Sequence, residues 1–270
     1  MNNKFSYLIC VAIVTGLASC LNTYNIEGST DHPGLDNSKV YLRIVMNDSL
    51  RDMDSTEVVH GKFGLSGTTD STRVVRLVFD NFSIPLVLEE GLISVKVNKS
   101  NMKWGGTALN DKLYHFFSCR DSLSIKLEEL DHEYYLAFMD GKDMQNDVIP
   151  RLSKENQLII ASMDSLFTQS VVENFDNVLG PFIFMTYAQM RQFPEMTPWV
   201  VDIMSKATDN FKKDPFVVNY INKAKQIQNQ ANGLEQPAPV TLPQPPTPNE
   251  MAAPAVKEAG DTSKVKKDKK

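Results

Sequence analysis

Three residues that could act together chemically stand four positions apart: Asp111, His115 and Cys119. Carboxylate, imidazole and thiolate are all transition-metal ligands, and on a helix this spacing would line them along one face. A metal centre also needs a fourth ligand and outer hydrogen-bond partners for the imidazole, and neither is legible here. Phe116 and Leu123, both apolar, sit beside the same face. His115 and Cys119 could also be a base and a thiol nucleophile. Neighbours on one regular helix rarely aim at a common substrate, however, and no oxyanion donors are identifiable. The favoured reading is a coincidence of helical spacing, with a metal site at Asp111, His115 and Cys119 as the alternative. Cys119 by itself reads as a small packed residue beside Phe116 and Phe117.

The remaining candidates for chemistry thin out quickly. Glu128, Glu129, Asp131 and Glu133 form an acidic run, which on a helix is ordinarily a solvated face. His32, His60 and His132 are isolated. Gly64-Leu-Ser-Gly67 lacks the lysine and the following helix of a phosphate-binding loop. No Cys-x-x-Cys pair occurs, so the paired-thiol redox motif is absent. The expectation is a protein without cofactor or resident metal, and not an enzyme.

One cysteine does have a chemical assignment. Lys4 is followed by the apolar run Tyr7–Val14, too short to cross a bilayer, and then by Leu17-Ala18-Ser19-Cys20. Small residues, with leucine three positions before a cysteine, resemble the lipobox of bacterial lipoproteins. The resemblance implies a diacylglycerol thioether on Cys20, cleavage before it, and N-acylation. Anchoring then follows from chain arithmetic, since each buried CH₂ contributes ~0.8 kcal/mol and two or more chains hold stably. The expected location is the cell envelope, bound through lipid on Cys20. No acidic cluster follows that cysteine, which favours the outer membrane, facing the periplasm.

Removal of residues 1–19 would leave 251 residues, with twenty-seven basic and thirty-three acidic side chains, net −6. The end, Lys257–Lys270, has six lysines and three acids, so the body before it carries −9. An acidic body argues against nucleic acid as partner. Of three cysteines, Cys10 lies in the leader and Cys20 in the lipobox. Only Cys119 is left, so no internal disulfide is expected.

Residues 24–106 read as a β-domain. Runs at 24–28, 39–45, 55–59, 62–66, 73–79, 83–88 and 92–97 are separated by turn residues such as His60-Gly61 and Asp80-Asn81. Pro85 marks an edge strand or bulge. The pattern predicts an antiparallel sandwich or barrel. Residues 107–232 read as helical, with Asn110 as the first cap. One apolar stripe runs through Leu113, Phe116, Phe117, Leu123, Leu127, Leu130, Tyr134 and Phe138. Further helices are predicted over 152–175, over 178–191, from Trp199, and from Asp214-Pro215 to about residue 230. Seven of fourteen prolines fall between Pro237 and Pro254, so 233–270 is expected to be a disordered Pro-rich and Lys-rich tail. The fold class is therefore α+β, with 20–23 as a lipidated tether.

The β-rich part resembles a domain of unknown function found in Gram-negative envelope lipoproteins, commonly N-terminal to a thioredoxin-like thiol-disulfide reductase domain. The residues that carry this are Tyr24-Asn-Ile-Glu-Gly28, Val40-Tyr-Leu42, Asp54-Ser55, Val58, Gly61-Lys-Phe63, Gly67, Gly106-Thr107 and Asn110. Each reads as a turn glycine, a strand apex or a cap. Asn177 and Leu179-Gly180 look similar to the linker helices of the same proteins, extending the resemblance over 24–230. The reductase domain with its Trp-Cys-x-x-Cys has no counterpart, and the Pro-rich tail stands in its place. The expectation is a membrane-anchored, non-enzymatic binding or assembly module with an unidentified envelope protein or ligand as partner. The alternatives are an accessory of envelope thiol-disulfide exchange without its own redox site, and a hydrolase whose site is assembled from distant residues.

Overall fold

The computed structural model describes residues 22–46 and 49–234. The leader, Cys20 and the Pro-rich stretch from residue 235 lie outside the described residues. The chain divides into two units, residues 1–228 and 229–270. The following concerns the first, apart from the last residues of its final helix.

Eight strands come first: β1 (Asn22–Thr30), β2 (Lys39–Met46), β3 (Ser49–Glu57), β4 (Lys62–Thr69), β5 (Arg73–Val78), β6 (Ser83–Leu88), β7 (Gly91–Val97) and β8 (Met102–Gly105). They make two four-stranded sheets in the orders β4-β1-β7-β8 and β3-β2-β5-β6. Alternating side chains meet between the sheets, among them Ile26, Val40, Leu42, Leu77, Leu86 and Ile93, all fully buried. The class is α+β, as expected. One pairing is not antiparallel: β1 lies parallel to β7, Tyr24 opposite Gly91 and Thr30 opposite Val97. Alternation along a strand reports which face is buried, not which way its neighbour runs, so the sequence does not reveal this.

Local chemistry explains several turns. His60 and Gly61 both take positive φ, 50° and 69°, the geometry of a two-residue hairpin turn. Val59 and Lys62 exchange both backbone hydrogen bonds across it, at 2.8 and 3.1 Å. Pro85 sits on β6, at the edge of its sheet, where a missing donor does no harm.

Two glycines in the first sheet have another use. Gly28 faces Phe63 across β1 and β4, and Gly67 faces Tyr24 two turns of the pleat away. Each glycine leaves a seat for the opposite ring: a Cβ on Gly28 would lie 1.9 Å from Phe63 Cζ, and one on Gly67 would lie 2.6 Å from the Tyr24 hydroxyl. Both glycines are ring seats, and Gly67 is not the turn residue it resembles in sequence.

Helices follow: α1 (Ala108–Met139), α2 (Ile149–Val172), α3 (Leu179–Ala188), α4 (Pro198–Lys206), α5 (Asp209–Lys213) and α6 (Pro215–Ala231). A second core fills the space among them, with Phe116, Phe167, Phe184, Ile203, Phe211 and Val217 at its centre and Val87 of β6 entering from the sheet. As expected, Asp214 caps α6, its Oδ1 accepting from Phe216 N (2.9 Å) and Val217 N (3.2 Å). The short α5 was not expected. Thr208 starts it and Phe211 anchors it in the core.

Candidate functional site

Where sheet meets helices, Asn110 is not the cap it resembles. α1 starts two residues earlier, and Asn110 is completely buried on its first turn. Its Oδ1 accepts from Val87 N (2.9 Å) and its Nδ2 donates to Val87 O (2.8 Å) and Thr107 Oγ1 (2.8 Å). A side-chain amide thus stands where a neighbouring strand would pair with the edge of β6. The helix end is capped from the sheet instead: Glu89 Oε1 accepts from Leu109 N (2.8 Å) and Asn110 N (3.2 Å). Asp111 is committed here too, its Oδ1 accepting from Gly106 N at 2.8 Å. Gly106 has φ +101, and a Cβ there would meet Leu92 O at 2.5 Å.

His115 and Cys119 do approach each other, Nε2 to Sγ 3.6 Å, on the partly exposed flank of α1. Among the described residues no third group orients the imidazole, and Asp111 is engaged with the loop before the helix. Among the described residues no group of three or more His, Cys, Asp or Glu side chains could hold a metal ion. The candidate ligand set Asp111, His115 and Cys119 is therefore an i, i+4 contact plus a helix-end carboxylate. Helical periodicity cannot distinguish such a pair from a site.

The far end of the α1–α2 hairpin holds what the sequence reading missed. At 1.5 Å per residue the 32-residue α1 is about 48 Å long and the 24-residue α2 about 36 Å. Only their base joins the main helical core, through Leu113, Phe116, Phe167 and Val171. The far end has its own small cluster of Leu130, Ala137, Val148 and Leu152. Gly141 (φ +67), Asp143 and a π turn over Met144–Val148 reverse the chain, with Asp143 Oδ1 accepting from Asn146 N at 3.0 Å. Arg151 ties the two helices, 2.5 Å from Glu133. That hydrogen bond to Arg151 holds the Glu133 carboxyl below its usual range.

Among the described residues no third layer covers this two-helix end, so much of its apolar surface is open. Tyr135 is 66%, Phe138 62% and Met139 80% exposed, and Leu136 between them is more than half exposed. Tyr134 and Phe138, expected in the core stripe, are thus solvent-facing: a 3.6-residue period finds a face and says nothing about what covers it. Between Asp121 and Glu155 this apolar end carries nine acidic and four basic side chains. Glu128, Glu129 and Asp131 are exposed on it, as a solvated acidic face should be. No helix among the described residues is long and apolar enough to cross a membrane.

No curated protein and no solved structure matches the chain. A family model does match, over a third of the length. It covers the two sheets and the first turns of α1, including Gly106, Asn110 and Leu113, and leaves the rest of the helices outside. Residues 24–113 are similar to the family described as Domain of unknown function (DUF4369).

Proposed function

We propose that the protein is a lipid-anchored envelope lipoprotein that acts as a non-enzymatic assembly module, and that the far end of the α1–α2 hairpin is the part that meets its partner. The observation that carries this is the open apolar end at Tyr135, Leu136, Phe138 and Met139. Contiguous exposed apolar surface of this kind marks interaction sites, and Tyr, Phe and Met are over-represented in the cores of interfaces. The acidic surround favours a protein with a basic rim around an apolar socket, and disfavours an anionic lipid surface.

Capture from native membranes tests the assembly role. The intact protein should retain a defined partner, and a variant with Tyr135→Ser, Phe138→Ser and Met139→Ser should lose it. All three residues are exposed, so the thermal midpoint should not fall. Capture of the same proteins by both forms would overturn the assignment. Anchoring has a separate readout. Mass spectrometry of the mature N-terminus should find an acylated Cys20, and Cys20→Ala should accumulate uncleaved chain. A mature protein that begins elsewhere and carries no lipid would refute it.

A further inference from the structure

A cavity of about 320 Å³ lies between the second sheet and the helices, at the small end of the about 300–1,000 Å³ that small-molecule sites occupy. Its apolar wall includes Val74 of β5, Val178 in the turn before α3, Pro181, Phe182 and Met185 of α3, and Phe216 of α6. Two arginines of β5, Arg73 and Arg76, line it as well.

The charges at this cavity are unbalanced in a specific way. Arg76 stands directly across from Arg43 of β2, a like-charge pair that costs stability. Arg43 has a carboxylate of its own, Asp52 at 2.6 Å, and rests on the Tyr41 ring. Arg76 reaches only the Ser83 hydroxyl, at 3.4 Å, and among the described residues no carboxylate lies within ion-pair distance of it. Arg73 binds Asp70 and Ser71 through one terminal nitrogen, while its Nε is buried without a hydrogen-bond partner. A half-buried guanidinium fork without a carboxylate partner, in the lining of an apolar cavity, fits a planar carboxylate carrying a hydrocarbon chain.

We propose that this cavity binds a free amphiphile with one carboxylate and a short unbranched apolar chain, its head on Arg76 and its chain among Val178, Phe182 and Met185. A phosphate dianion fits less well, because Asp214 also lines the cavity and Asp70 already holds Arg73. The hydroxyl and the carboxylate in the lining are engaged elsewhere, Thr186 Oγ1 donating to Phe182 O and Asp214 Oδ1 accepting from Phe216 N and Val217 N, so the ligand is held and not cleaved.

Calorimetric titration of the full chain in detergent-free buffer tests this with decanoate, decanol, decyl phosphate and decyltrimethylammonium. Decanoate should saturate at one per chain. Decanol should bind at least about tenfold more weakly, as loss of a charge-assisted hydrogen bond requires, and the cation should not bind. Arg76→Gln should bring decanoate down to the level of decanol without lowering the thermal midpoint of the free protein, since it also removes the repulsion with Arg43. Met185→Trp, which fills the cavity, should abolish both. Equal affinity for decanoate and decanol, tighter binding of decyl phosphate, no saturable decanoate binding, or full affinity in Arg76→Gln would each overturn the proposal.

Discussion

Gly28→Ala should destabilise the protein by about 3 kcal/mol, although it adds a single methyl group to a β-strand. The added carbon would lie within 2.3 Å of three atoms of the Phe63 ring. That ring is 6% exposed and packs edge-on against Phe79 with centroids 5.6 Å apart. It has no free side to move to, so it must leave its seat, and the cost approaches that of removing a buried Phe. The small gain in backbone stiffness from Gly to Ala, about 0.5–1 kcal/mol, offsets only part of this. Thermal unfolding should show a midpoint lower by roughly 6–12 °C for a chain of this size. Phe63→Leu should cost less in the Gly28→Ala background than alone, because the smaller side chain relieves the overlap. A loss below about 1 kcal/mol in the single variant would show that the ring is not fixed where the structure has it.

Asn110→Ala should be the second large effect, about 2–4 kcal/mol. The change leaves the Val87 amide and carbonyl without partners in a place water does not reach, each costing about 1–3 kcal/mol, and strips Thr107 Oγ1 of its donor. Asn110→Asp separates this account from simple loss of volume. It keeps the shape and the acceptor for Val87 N, but points an oxygen at Val87 O and places a carboxylate next to Glu89. Burial and the neighbouring acid would raise the folded pKa of the new carboxyl above its unfolded value. The variant should therefore regain stability as pH falls through that raised pKa, whereas Asn110→Ala should not. Melting curves at neutral and mildly acidic pH make the comparison. Equal response to pH in both variants would argue that Asn110 only fills space.

Both residues are visible in the sequence, but what each does there is not. Gly28 reads as the last residue of the first strand run and Gly67 as a turn glycine, because glycine is most often needed for backbone freedom. Here their missing side chains matter, and only the partner strand reveals it. Asn110 looks like a cap because a helix starts nearby and Asn caps helices, while its real partner, Val87, is twenty-three residues away. Features set by neighbours in sequence were legible: the His60-Gly61 hairpin, the edge position of Pro85, and Asp214 before Pro215. β3 was legible only in part. Its first half, Ser49–Asp54, is mostly exposed at a sheet edge, so it lacks the apolar alternation that announces a strand. Tyr134 and Phe138 show the converse, a correct periodicity with nothing on the far side to bury them. Arg76 was not singled out at all, since a lone arginine in a strand has no signature until its opposite residue turns out to be Arg43.

The parallel pairing of β1 with β7 also governs the order in which the domain can assemble. β1 is the first described strand, yet it sits in the interior of its sheet, between β4 and β7. Hairpin contacts such as β2 with β3 and β5 with β6 can close locally as soon as each pair exists. Tyr24 must wait for Gly91 before its second edge is covered. Until then, a strand holding Tyr24 and Ile26 has unpaired backbone on one side, the kind of edge that other chains can extend. Late long-range closures of this sort slow folding and lengthen exposure to aggregation. The last strand and the Asn110 lock on α1 then follow within thirteen residues of the end of β7. The vulnerable interval therefore ends abruptly, once the chain is available to about residue 110.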